Sequence, residues 1–219
     1  KYWLPELGEE SVREIRFSHL VEIVNSIPWS SAKTRNNALI PLRGVFRFAV
    51  QDMIIDRDPA QYLVNKKHIY PEPDPFSLDE VNLITEWLYK NAHETEANLV
   101  EFAFWSGLRS AELSALQWQD IDWNQGVVRV QRARERSGGG VKPPKTYQIR
   151  DVELNARSRA ALQKQRRWSE LLGKEVLLNP NTGEHYMTNK AVRSFFNKAL
   201  KTLGVRHRPS YNTRHTFCT

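Results

Sequence analysis

The sequence predicts a mainly helical α+β fold with one small antiparallel sheet, split into two domains. Apolar residues recur every three or four positions through the first seventy residues, with no β-type alternation. Three prolines at alternate positions, Pro71, Pro73 and Pro75, mark a linker, because each lacks an amide donor and biases its predecessor to extended geometry. Short strand-like runs bounded by turn residues cluster between Ile121 and Leu154.

The boundaries that follow are 1–70, a linker over 71–76, and 77–219. In the first part, Val12, Ile15, Leu20, Ile23 and Val24 form one stripe of a helix over Glu10–Ile27, which Pro28 ends. Ser30 or Ser31 caps a longer helix carrying Leu39, Leu42, Val45, Phe46 and Ala49, interrupted by Pro41. Asp58-Pro59 starts a short last helix near Tyr62-Leu63. With no strands to pair, these helices are expected to form a small bundle.

In the second part, Ser77 and Glu80 have capping-box spacing and open a helix to about Lys90. A second runs from about Glu94 to Trp105, and Gly107 permits a turn before a third near Ser110. Ile121–Trp123 and Val127–Gln131 flank Asn124-Gln125-Gly126 as a hairpin. Residues 134–144 read as a loop with three consecutive glycines, and Lys145–Leu154 as a strand whose alternation of Ile149, Val152 and Leu154 is imperfect. Helices are expected near 156–172 and 188–203, with a short strand at Val176–Leu178. Trp87, Trp105 and Trp118 fall in apolar helical contexts and are expected to be structural.

The charge is unevenly spread. Residues 1–75 carry 10 basic and 10 acidic side chains, 76–126 carry 2 and 9, and 127–219 carry 20 and 6. A net +14 in the last segment favours a polyanionic partner through counterion release. The lone Cys218 excludes an internal disulfide and fits a reducing compartment. No apolar run is long enough to span a membrane, and no secretory signal opens the chain. Its start at Lys1 rather than Met suggests a fragment. The six histidines (19, 68, 93, 185, 207 and 215) lack metal-ligand spacing, and neither a phosphate-binding P-loop nor a dinucleotide fingerprint is present.

Three basic motifs carry the chemistry. Trp105-Ser106-Gly107-Leu108-Arg109-Ser110-Ala111-Glu112-Leu113 places Arg109 at the turn opening a helix, where a guanidinium can point into a cleft. Glu112, three residues on, can brace it; a plain surface Arg–Glu pair has the same spacing. Lys145-Thr146 lies past the glycine-rich loop, with Lys142 nearby. Tyr211-Asn212-Thr213-Arg214-His215-Thr216-Phe217 supplies a second arginine about a hundred residues after the first. Phosphoryl transfer needs charge offset on two non-bridging oxygens, and arginine's planar fork makes two charge-assisted bonds without deprotonating. Such preset donors contribute on the order of 3 kcal/mol each.

Together these segments resemble the catalytic domain of tyrosine recombinases, the lambda-type phage integrase family. The resemblance implies that Arg109 and Arg214 hold one phosphodiester, that Lys145 is the general acid with Lys142 as the alternative, and that Glu112 and His215 brace the pocket. It also implies a catalytic-site role for Tyr211, where the family usually has histidine; a phenol can hydrogen-bond a phosphate oxygen but is a poor base at neutral pH. The family's further His or Trp and its nucleophilic tyrosine fall beyond Thr219. This fragment is therefore expected to bind DNA without cleaving it, and to be monomeric where full-length members are tetramers. The resemblance makes 1–70 a helical core-binding domain, with Lys33, Arg35, Arg43 and Arg47 along one helix as DNA contacts.

What the resemblance implies is site-specific recombination through a 3′-phosphotyrosyl intermediate on double-stranded DNA, with no metal or other cofactor and no membrane. The setting would be a mobile genetic element or viral genome integration, in a bacterial or phage-encoded protein of the cytoplasm and nucleoid. The alternative is a non-catalytic DNA-binding module, a degenerate integrase acting as regulator or excision partner.

Overall fold

The computed structural model describes residues 1–69, 72–135, 140–144, 148–184, 186 and 189–219, the side chains of 189–191 excepted. It divides into two compact units, Lys1–Pro71 and Glu72–Thr219.

The first unit is helical among its described residues: α1 (Leu4–Leu7), α2 (Phe17–Ser26) and α3 (Ala32–Gln51). Leu20, Val24, Leu39, Leu42 and Phe46 form its core with Ile15, Ala60 and Leu63. Helix α2 is shorter than the apolar stripe suggested. Ser11–Glu14 is a turn instead, yet Ile15 is still buried, so apolar spacing there reports burial without helix. Ser31 caps α3 by accepting from the Thr34 amide, and the helix passes through Pro41 unbroken. The helix expected near 58–63 is a pair of turns, with Asp58 Oδ1 accepting from the Ala60 amide; the aspartate's local bond competes with helix propagation. Met53 closes α3 at φ +56°, a left-handed position where glycine is usual.

The second unit begins with α4 (Leu78–Asn91), whose Ser77–Glu80 capping box is fully formed, and α5 (Glu94–Ser106). Helix α5 is buried nearly all round and is the centre of the larger core, packed by Val81, Ile84 and Leu88 of α4. A single turn, α6 (Ser110–Leu113), leads to the sheet of β1 (Ile121–Asp122), β2 (Val127–Val130) and β5 (Arg150–Glu153), antiparallel in the order β1-β2-β5. Asp122 Oδ1 accepts from the amides of Asn124 and Gln125, which shapes the β1–β2 turn. Strands β3 (Ala133–Arg134) and β4 (Val141–Lys142) pair as a ribbon that overlaps the segment expected to be loop; two residues a side give no readable alternation. Val176–Leu178 is not a continuous strand: Glu175 bridges to Gln117 and Leu178 is a separate isolated bridge residue, while Val176 and Leu177 between them are buried. Helices α7 (Ala156–Ser169), α8 (Asn189–Thr202) and α9 (Asn212–Phe217) complete the unit. Trp87, Trp105 and Trp118 pack against its core.

Glu72–Phe76, expected to be linker, belongs to the second unit. Phe76 is in the core, edge-on to Phe104 and Phe196. Asp74 pairs with Arg206 and Arg208, and its carbonyl accepts from Asn212. The Phe76 amide donates to Thr216 Oγ1 at 3.0 Å. Local proline content therefore marked the division, but tertiary partners 130 or more residues away decide where the strap lies.

Candidate active site

Arg109 sits where α5 must stop. Gly107 ends that helix at φ +60°, a conformation that favours glycine, and Leu108 then turns into the core. Arg109 becomes the N-cap of α6. Glu112 accepts its backbone amide at 2.8 Å and its guanidinium Nη1 at 2.9 Å, so the brace read from the sequence is a buried one, with the carboxylate side chain 1% exposed.

A second arginine on Glu112 was not foreseen. Arg150 donates from Nη1 at 3.1 Å to Oε1 and from Nη2 at 2.7 Å to Oε2. Its placement follows from sheet register: Arg150 pairs with Val130 and Val152 with Val128, so Arg150 lies on the side of the sheet that faces the core. The imperfect alternation of the last strand has this cause. Arg150, Val152 and Leu154 share one face, and Ile149 is exposed. Burial by itself pushes the Glu112 carboxyl up; the bonds from Arg150, then from the amide and guanidinium of Arg109, outweigh it and hold the carboxyl below its usual range. Two guanidiniums on one carboxylate leave a net positive charge. Both arginine side chains keep about a third of their surface open, at 30% and 32%.

The second arginine motif forms α9, and it docks on the first. Arg214 donates to the Gly107 carbonyl, two residues from Arg109. The Phe217 ring covers the face of Gly107 where a side chain would project; a Cβ there would lie within 2.9 Å of three ring carbons. The strap holds the other side of α9 through Asn212 and Thr216, whose hydroxyl also donates to the Asn212 carbonyl. Tyr211 precedes α9, exposed and edge-on to His215 at 5.3 Å. His215 is itself exposed, so it stacks on Tyr211 and is not buried beneath the arginines.

The other candidates are more scattered. Lys145 lies outside the described residues. Lys142, on β4, pairs with Glu135 at 3.0 Å across the ribbon. In the first unit, Arg35 is buried and donates to the Val64 carbonyl, while Arg43 donates to the Leu63 carbonyl and Asn65. These two fasten residues 63–65 to α3, and Arg35 in particular is turned away from the solvent-facing role expected of it. Burial, and then the nearby charge of Arg43, lower the Arg35 pKa. Lys33 and Arg47 are exposed on α3. No group of three or more His, Cys, Asp or Glu among the described residues is placed to hold a metal ion, and no helix among them is long and apolar enough to cross a membrane.

The family model of the phage integrase family matches residues 75–219. The chain belongs to the phage integrase family. It is 30% identical over 213 residues to prophage integrase IntR of Escherichia coli K12, covering 85% of this chain and 50% of that protein. It is 23% identical to the integrase of Enterobacteria phage P4, over 99% of this chain and 48% of the relative. The chain thus spans about half the length of these curated relatives. Among solved structures, it resembles the Tn1549 transposon integrase in complex with a circular intermediate DNA, with a TM-score of 0.77 and 19% identity over 94% of this chain and 73% of that one. It also resembles a lambda integrase tetramer bound to a Holliday junction, with a TM-score of 0.71 and 17% identity, over 94% of this chain and 59% of that one. At these identities the likeness shows the fold: a mainly helical protein with small antiparallel sheets.

Proposed function

We propose that this chain is the DNA-gripping and phosphate-activating portion of a site-specific recombinase that works through a 3′-phosphotyrosyl intermediate. The observation that supports this most is the seating of Arg214 on the Gly107 carbonyl, which brings both arginine motifs to one place. In this reading Arg109 and Arg214 hold the non-bridging oxygens of one phosphodiester and Tyr211 hydrogen-bonds a phosphate oxygen. An attacking tyrosine forms a bond to phosphorus as the bond to the 5′ oxygen breaks, and Lys145, or Lys142 in its place, protonates that oxygen. The broken bond's energy stays in the ester, so rejoining needs no nucleotide. The nucleophile is assigned to a tyrosine outside these 219 residues, supplied by a longer polypeptide or a neighbouring protomer.

Residues 1–70 act as a core-binding domain and 77–219 as the catalytic domain, with 72–76 packed onto the latter as a strap. The exposed face of α3 lies on DNA through Lys33 and Arg47: no acidic residue occurs between Glu22 and Asp52, so cations are segregated within a unit whose 10 basic and 8 acidic residues nearly cancel. The partner is double-stranded DNA, with a tetramer as the working assembly, a monomer for the present chain, and the bacterial cytoplasm and nucleoid as its place.

The test uses the reverse half-reaction, which needs no protein nucleophile. Duplexes are first selected from a random pool by affinity for the chain. A nick in such a duplex then carries a 3′-p-nitrophenyl phosphate facing a 5′-hydroxyl. Attack by the 5′ oxygen forms the phosphodiester, releases p-nitrophenolate and gives up the 5′ proton. The chain should accelerate joining, and Arg109→Ala or Arg214→Ala should each slow it on the order of 100-fold. Binding without acceleration would refute this reading and favour the non-catalytic DNA-binding module.

A further inference from the structure

We propose that Arg150 is a positioning residue that sets the first arginine, Arg109, through the carboxylate they share on Glu112. The inference rests on the reading of Arg109 as a phosphate ligand.

Glu112 has room for four in-plane hydrogen bonds, and all four are made. Oε1 accepts from Arg109 Nη1 and Arg150 Nη1, and Oε2 from the Arg109 amide and Arg150 Nη2. The carboxylate cannot turn without losing two bonds to a rigid strand, since Arg150 is held by ladder pairing with Val130. Without Arg150, both remaining bonds would come from Arg109 itself. A desolvated carboxylate with only that partner would draw the Arg109 guanidinium into a two-point pair, the geometry these groups favour. Sharing the carboxylate leaves the Arg109 charge only partly offset and its outer nitrogens free to meet an oxyanion. Arg150 thus orients Arg109 and keeps its charge available at the same time. Among the described residues, the charged groups hydrogen-bonded to Glu112 are Arg109 of the α6 turn and Arg150 of β5.

Two measurements test this in the 219-residue chain. The first follows the guanidinium 15N–1H signals of Arg109, identified by their loss in Arg109→Lys. In Arg150→Gln these signals should shift and exchange with solvent at least about tenfold faster, while Arg166→Gln, which breaks a surface pair with Glu170, should leave them in place. The second is nick joining. Arg150→Gln should slow the bound-state rate on the order of 10- to 100-fold, with DNA affinity within about threefold of the original. Arg150→Lys restores the charge but not the two-point fork, so it should recover only part of the rate. Loss of Arg150 also removes a bond that favours the Glu112 anion, so the acid limb of the rate profile should move to higher pH.

Unchanged Arg109 signals in folded Arg150→Gln would overturn the proposal. So would a joining rate that falls only in step with affinity or with the folded fraction. If the unsubstituted chain fails to join nicks, the recombinase reading fails, while the Arg109 signals still decide whether Arg150 positions it.

Discussion

Replacing Gly107 with alanine strikes the junction of the two arginine motifs. The cost has two sources. At φ +60° an alanine pays the left-handed penalty, about 1–2 kcal/mol. Its Cβ also meets the Phe217 ring, within 2.9 Å of three carbons. A rigid contact of that kind would cost about 1–3 kcal/mol. Phe217 is 45% exposed and can swing outward, so the lower half of that range applies. The expected loss is about 2–4 kcal/mol, read from urea denaturation midpoints at constant slope. The steric part must vanish when the ring is removed. In a Phe217→Ala background the same substitution should therefore cost only about 1–2 kcal/mol, a coupling of about 1–2 kcal/mol in the double-mutant cycle. Equal costs in the two backgrounds, or a loss below about 0.5 kcal/mol in the original chain, would refute the docking of α9 on Gly107. Nick joining should fall further than stability does, because Arg214 shares α9 with the displaced ring.

Glu112→Gln should destabilise the second unit by about 2–3 kcal/mol, less than a wholly buried pair because both arginines are partly solvated. The folded-state carboxyl is depressed, so its stabilisation is present above the unfolded carboxylate range near about 4.3 and is lost as pH falls through the lower folded value. Acid denaturation should accordingly be steeper in the original chain than in Glu112→Gln. For DNA affinity against salt, Arg47→Ala should reduce the log–log slope by about 0.9, whereas Arg35→Ala should leave the slope unchanged and lower thermal stability. Burial, and then the Glu101 carboxylate that accepts its hydroxyl at 2.6 Å, drive the Tyr89 pKa far up, so Tyr89→Phe should not alter the ultraviolet alkaline titration until the chain unfolds. Met53→Gly should stabilise the first unit by up to about 1 kcal/mol in thermal denaturation, since it relieves a left-handed methionine.

Much of the helical frame was legible because its signals are local. The Ser77–Glu80 box, the Ser31 cap and the Gly107 stop each depend on side chains within four residues of the boundary they set. The errors came where local pattern and tertiary partner differ. Ser11–Glu14 lies beside a buried apolar stripe and yet is not helical, and Asp58 diverts the next segment into turns. The ribbon at 133–142 is too short for periodicity to register. The sequence shows only an imperfect alternation around Arg150, and one guanidinium on a core-facing position makes sense once Glu112 is seen opposite it. Arg35 shows the converse: helical spacing put it among DNA-facing cations, and the Val64 carbonyl claims it.

From the sequence alone came the family, the mainly helical class, the arginine motifs and the segregation of positive charge, because each is written in residue type and short spacing. The tertiary structure decided which charges serve chemistry and which serve the scaffold. That choice depends on who meets whom across 38 residues for Arg150 and Glu112, or 107 for Arg214 and Gly107. No local pattern encodes such distances; they are fixed only when burial of a common core brings the strands and helices together.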